Sequence, residues 1–274
     1  MNFNHLTLFV NDVALWRDRL GRTWGGQPAD LCLPHGGSGS LLVLGQVPLV
    51  LTAPHQAGDG AALYLQRHPP GVGDVAFRVN HLEQTLKRVL GAGGTLLEPV
   101  QMDPYGRGRW CQIQGWGHLR HTLVESQEAE VWVPGQPIRK GSGSIRPTPS
   151  CLITGIDHAV INLPAGQMQP AIAWYVEQLG FQPQQQFTID TPWSGLRSQV
   201  LAHPDGGAQL PINEPTTPNS QVQEFLEWHR GAGIQHVALH TSDILQTVSQ
   251  LQEAGVTFLD VPDDYYTTLP QRPG

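Results

Sequence analysis

Gly155-Ile156-Asp157-His158-Ala159-Val160-Ile161-Asn162 and Gly233-Ile234-Gln235-His236-Val237-Ala238-Leu239 are two versions of one pattern, a glycine-led, β-rich run with a histidine near its centre. Phe3–Val10 carries His5 in the corresponding place, and Gly71–Val79 carries Asp74. The four runs recur at intervals of about 70 to 85 residues, the mark of an internal repeat. The segments after these runs repeat as well. Asn80-His81-Leu82-Glu83 and Asp243-Ile244-Leu245-Gln246 read as capping boxes. Each opens a helical pattern, Leu82/Leu86/Val89/Leu90 in one and Ile244/Val248/Leu251 in the other, and these stop at Gly93 and Gly255. The third copy predicts a helix from Met168 to Leu179 closed by Gly180, and the first predicts one from Asp12 to Leu20 ended by Gly21. Further strands are expected at Thr95-Leu96-Leu97, Trp110–Gln114, Arg120–Glu125 and Val256–Leu259.

The unit is therefore βαβββ, and the fold class is α+β, with four such modules in two pairs, each pair closing into a half-barrel. The expected organisation is a structural module pair over residues 1–133, a Gly-, Pro- and Ser-rich linker over 134–150, and a catalytic pair over 151–274. Copy two uses the stretch from Asp74 to Glu125, and Gly274 falls short of the comparable distance beyond His236, so the fourth module is expected to be incomplete.

Composition narrows the function classes. Sixteen Lys and Arg stand against 23 Asp and Glu for a net charge of −7, with no basic run beyond Arg139-Lys140, which argues against nucleic acid as a partner. No apolar run approaches the length of a membrane-spanning helix, and the N-terminus lacks a secretory pattern. Cys32, Cys111 and Cys151 are widely spaced, which excludes a CxxC zinc site and fits a cytoplasmic protein. The 31 Gly and 23 Pro lie between apolar runs and suit many short elements joined by turns.

From the pattern alone two readings of the histidines stand. Each can be a hydrogen-bonded rim or core residue. Alternatively, two neutral imidazoles from adjacent modules can bind one divalent metal, a carboxylate completing a facial triad of the non-heme Fe(II) type. Val160, two residues beyond His158, is expected to face the same cavity, while Gln235 is expected to face away from His236 by strand alternation. His5 and Asp74 occupy the equivalent places in the first pair, which is expected to be a structural, degenerate half.

The segment from Gly155 to Arg272 resembles the C-terminal half of 4-hydroxyphenylpyruvate dioxygenases, within the vicinal oxygen chelate superfamily. The resemblance rests on Ile156–Val160, Ser194-Gly195-Leu196-Arg197-Ser198, Pro211–Pro215, Ser220–Leu226, Gly231–Leu239 and Tyr265-Tyr266, in one order. Gly71–Val79 and His121–Glu125 extend it more loosely into the first half. It implies that His158 and His236 ligate Fe(II), and that Ser198, Asn213, Gln221 and Gln235 surround the substrate. Arg197 departs from the Asn usual in its block. The implied partners are a small aromatic 2-oxo acid and O2, with neither nucleic acid nor membrane, in a homo-oligomer. The implied reaction converts 4-hydroxyphenylpyruvate to homogentisate and CO2. Formation of 4-hydroxymandelate on the same fold, and a binding protein without turnover, are the alternatives. The family's third iron ligand, a Glu on the last strand of the fourth module, has no counterpart in this sequence.

Overall fold

The structure, a computed structural model, describes residues 1–26, 28–32, 38–128, 131–136, 152–191 and 194–260. Most of the expected linker (137–150) and the Tyr265-Tyr266 block lie outside the described residues. The first module comprises β1 (Asn2–Phe9), α1 (Val13–Trp24), β2 (Ala29–Cys32), β3 (Ser38–Leu44) and β4 (Val47–Thr52). After a short α2 (Gly60–Leu65), the second comprises β5 (Gly71–Arg78), α3 (Leu82–Gly91), β6 (Leu96–Met102), β7 (Gly108–Gln114) and β8 (Arg120–Ser126). The third comprises β9 (Ile153–Asn162), α4 (Met168–Trp174), β10 (Gln182–Asp190), β11 (Gly195–Ala202) and β12 (Gln209–Pro215). After α5 (Gln221–His229), β13 (Gly233–Thr241) and α6 (Ile244–Glu253) begin the fourth.

The strands form an eight-stranded sheet in the order β2-β3-β4-β1-β5-β8-β7-β6 and a five-stranded sheet in the order β10-β11-β12-β9-β13. Each complete module closes on itself through a parallel pair, β1 with β4, β5 with β8 and β9 with β12. Two modules join through an antiparallel pair of their leading strands, β1 with β5 and β9 with β13. This is the βαβββ plan read from the repeat. Residues 256–259 form no strand, and Leu259 is almost fully exposed.

Period-two alternation splits each sheet into an apolar outer face and a mixed inner face. On the outer face Leu6, Val75 and Phe77 of the first sheet join Ala159, Ile161 and Ile212 of the second in one continuous core. Helices cover it. The π-type turn Tyr175–Leu179 prolongs α4, and Arg88 of α3 closes it by donating to the carbonyls of Val176 and Glu177 at 2.8 Å each.

Two helix ends differ from expectation for local reasons. α1 runs through Gly21 and stops at Gly25, whose φ of 69° lets its N–H reach the Gly21 carbonyl. α3 takes no side-chain cap from its N-cap residue, His81. Its first-turn Leu82 N–H instead donates to Glu125 Oε2 of β8 at 2.5 Å. Asp243 caps α6 as expected, accepting from Gln246 N–H at 3.0 Å. Among the described residues no helix is long and apolar enough to cross a membrane.

Candidate metal centre

Register places the four repeat residues in one frame. His5 lies opposite Ala76, and Asp74 opposite Thr7; His158 lies opposite Ala238, and His236 opposite Val160. In each leading pair, then, the two key residues stand diagonally across an antiparallel ladder. His158 and His236 come together with ring centroids 5.8 Å apart, His158 partly buried and His236 exposed.

A bulge precedes every key residue. The pairing skips Asn4 before His5, Gly73 before Asp74, Asp157 before His158 and Gln235 before His236. A bulge breaks strict alternation and re-aims the side chains beside it. Its effect on the histidines is the same three times. Asn4 Oδ1 meets His5 Nδ1 at 2.6 Å, Asp157 Oδ2 meets His158 Nδ1 at 2.8 Å, and Gln235 Oε1 meets His236 Nδ1 at 2.9 Å. Amide and carboxylate oxygens accept, so each Nδ1 carries a proton, and in the neutral ring the lone pair is then on Nε2. That is the tautomer a metal ligand needs, with the outer partner fixing the ring. At Gly73 a side chain is impossible, because a Cβ there would collide with the Phe9 ring.

Gln235 therefore does not face away from His236 as alternation implies; the bulge turns its amide onto the imidazole. Asp157 has a second partner in His240, whose Nε2 lies 3.0 Å from Oδ1. Burial lowers the His236 pKa, and the neighbouring His158 lowers it further, which favours the neutral His236 ring.

The other anticipated residues divide. Ser198 pairs with Asn213, and Asn213 with Asn162, in successive strands. Asn162 stands four residues along β9 from His158, on the same face, so the row Ser198–Asn213–Asn162 shares the inner face with the histidines. Asn213 Nδ2 donates to Asn162 Oδ1 at 3.2 Å. Ser198 Oγ and Asn162 Nδ2 are buried without a hydrogen-bond partner, an arrangement that costs free energy unless a ligand supplies one. Asn162 was not singled out from sequence; its place on the inner face, four residues beyond His158, is the signal that points to it. Gln221 is exposed at the start of α5, behind the Ser220 cap, and its N–H donates to Ser194 Oγ at 3.3 Å.

Among the described residues no carboxylate joins the pair as a third ligand, and no group of three His, Cys, Asp or Glu side chains could hold a metal. Glu214, a β12 residue, faces outward. It pairs with Arg197 and accepts from Gly166 N–H at 2.9 Å and Met168 N–H at 3.3 Å, capping α4. Arg197 is thus committed to the outer face and leaves the inner face alone.

Comparison with known proteins agrees with this fold. Residues 155–270 match the Glyoxalase/Bleomycin resistance protein/Dioxygenase superfamily. The chain is 35% identical to an uncharacterized protein of Synechocystis sp. over 97% of its own length and 74% of that protein's. It is 34% identical to 4-hydroxyphenylpyruvate dioxygenase of Caenorhabditis briggsae, over 76% of this chain and 56% of that one. With the Xenopus tropicalis protein of the same name it shares 30% identity, over 99% and 73%. The chain thus spans little more than half of the nematode relative. A mutant 4-hydroxymandelate synthase from Streptomyces coelicolor superposes with a TM-score of 0.86 at 23% identity, covering 98% of this chain and 79% of that one.

Proposed function

From its membership of the glyoxalase/bleomycin resistance protein/dioxygenase superfamily, among the relatives of 4-hydroxyphenylpyruvate dioxygenase, we infer that this chain is a non-heme Fe(II) dioxygenase that converts 4-hydroxyphenylpyruvate and O2 to homogentisate and CO2. The observation that carries the reading is the histidine pair, each Nδ1 tied by its bulge neighbour and each Nε2 without a hydrogen bond among the described residues. A metal about 2 Å from each ring nitrogen lies about 3 Å from each ring centre. Rings 5.8 Å apart can therefore share one ion. Two neutral nitrogen donors fit two of the three protein ligands of an Fe(II) facial triad. The third ligand is not among the described residues.

His158 and His236 would hold the ion, with Asp157 and Gln235 orienting them. When bound, the metal supplies the redox chemistry by which a chelated 2-oxo acid reacts with O2. The chain's own residues do the positioning. Ser198 Oγ and Asn162 Nδ2 are the unsatisfied groups of the inner face, and substrate oxygens satisfy them. Asn213, bonded to Asn162, holds that amide in place, and Gln221 stands at the outer rim.

The test is aerobic incubation of the Fe(II)-supplied protein with 4-hydroxyphenylpyruvate, following O2 uptake and products. Homogentisate and CO2 in equal amounts, abolished in His158→Ala, support the reading. 4-Hydroxymandelate as sole product assigns the sibling reaction instead. Turnover indifferent to His158→Ala overturns the metal-centred account.

A further inference from the structure

The first sheet repeats the frame of the metal centre but puts different chemistry in it. Its inner face encloses a cavity of about 500 Å³, well within the range of small-molecule sites. The lining follows the period of two along the strands: His5, Thr7 and Phe9 on β1, Val50 and Thr52 on β4, Trp110 and Gln112 on β7. Arg120 and Thr122 of β8 complete the polar side, and Leu31 and Val133 extend the apolar one.

Asp74 occupies the place that His236 takes in the second sheet, and it is fully employed. It accepts from Thr122 N–H at 2.9 Å, Thr122 Oγ at 2.6 Å and Gln112 Nε2 at 2.7 Å. A carboxylate so occupied has little left for a metal, so the cavity is not a second metal centre. Two other groups remain open. His5 is only 3% exposed, and its Nε2 has no hydrogen bond among the described residues, while Asn4 fixes the proton on Nδ1. Burial holds the imidazole pKa down to about 4 against the opposing charge of Asp74, so this nitrogen is an acceptor at neutral pH. Arg120 donates from Nη1 to Gln112 Oε1 at 2.9 Å and has no ion-pair partner among the described residues. Its guanidinium lies under the first turn of α2, where a Cβ at Gly60 would meet it at 2.8 Å.

An enclosed acceptor and a cation thus line the same cavity, which has an aromatic and aliphatic wall. His5 and Arg120 lie on strands two places apart, β1 and β8 with β5 between them, or about 10 Å in strand spacing. That span accommodates one aromatic ring with a polar group at each end. We propose that the inner face of the first sheet is a second, metal-independent binding site for a small hydroxyaromatic carboxylic acid, its hydroxyl donating to His5 Nε2 and its carboxylate accepting from Arg120. The first module pair then has a ligand-binding role of its own, separate from any turnover at the histidine pair.

The probe is 4-hydroxyphenylacetate, which has both end groups and lacks the 2-oxo group that chelates a metal. Calorimetric titration uses the full chain in EDTA. The expected result is one site per chain, retained in His236→Ala and weakened at least tenfold by Arg120→Gln. Phenylacetate, which lacks the hydroxyl, is expected to bind at least fivefold more weakly. Gly60→Ala provides a second variant should Arg120→Gln fail to fold, since the added methyl at the cavity wall displaces the guanidinium. No binding at millimolar probe overturns the proposal. So does binding that both variants leave unchanged, or binding lost in His236→Ala. Because metal is absent throughout, these outcomes are independent of whether the protein proves to be an oxygenase.

Discussion

Asp157 and His158 are sequence neighbours, and on a regular strand their side chains would leave opposite faces. The bulge brings them together and thereby fixes a single proton position. Replacing Asp157 by Asn keeps an acceptor but removes the charge that strengthens the His158 ligand. The Fe(II) concentration for half-maximal O2 uptake is expected to rise about tenfold, the usual cost of an altered outer partner. Ser198 makes the opposite kind of test. Its buried hydroxyl has no partner, so Ser198→Ala is expected to leave thermal stability unchanged or to raise it by up to about 1 kcal/mol, while KM for 4-hydroxyphenylpyruvate increases severalfold. A loss of stability with KM unchanged would assign the hydroxyl to the fold instead. The histidines were legible in sequence because the same residue recurs at the same place in the repeat. The bulges were not, because a bulge exists only relative to a partner strand, and Gly73 lacks the side-chain oxygen that Asn4, Asp157 and Gln235 have in common.

At the scale of elements, the second and third modules are fastened by one device. In the second module Glu125 of β8 takes Arg109 of β7 at 3.1 Å and caps α3 through Leu82 N–H. In the third, Glu214 of β12 takes Arg197 of β11 and caps α4 through Gly166 and Met168. The last strand of each of these two modules thus supplies the cap for that module's own helix. A sequence scan looks for the cap next to the helix, which is why Asn80 and Glu83 suggested a capping box that the fold does not use. Glu214→Ala is expected to lower the unfolding free energy by about 2 kcal/mol, read by urea denaturation, because it removes a cap and leaves the buried Met168 N–H unpaired. Ser198 and Asn213, on the other face, are expected to keep their function in that variant under folding conditions.

Across the whole molecule, the two sheets are tied by histidines that have no part in the metal reading. His68 Nδ1 donates to the His229 carbonyl at 2.8 Å, which leaves Nε2 to accept from His118 Nδ1 at 2.7 Å. His229 Nδ1 donates to the Gly231 carbonyl at 3.0 Å, which leaves its Nε2 to accept from Tyr64 at 3.0 Å. Every one of these contacts is satisfied with the rings neutral. Burial is the main cause of the lowered pKa at His68, His118 and His229, and it takes His229 down to about 4. A histidine lowered in the folded state binds fewer protons there than in the unfolded chain, so stability rises with pH through this window. The contribution is complete above about pH 6.5 and is lost as pH falls toward 4, on the order of 3 kcal/mol for His229. Thermal melts between pH 7 and 4 are expected to show that loss, and His229→Gln is expected to flatten it. The repeat announced two paired halves, but nothing in it announced the joint, whose residues lie outside the repeated positions and meet only when the chain is folded.

All three scales meet in the claim that two bulged strands present His158 and His236 to one metal ion. Anaerobic calorimetric titration of Fe(II) into the wild-type chain, His158→Ala and His236→Ala tests it most directly. The account predicts one ion per wild-type chain and an affinity at least a hundredfold lower in either variant. Equal binding by all three proteins would contradict it.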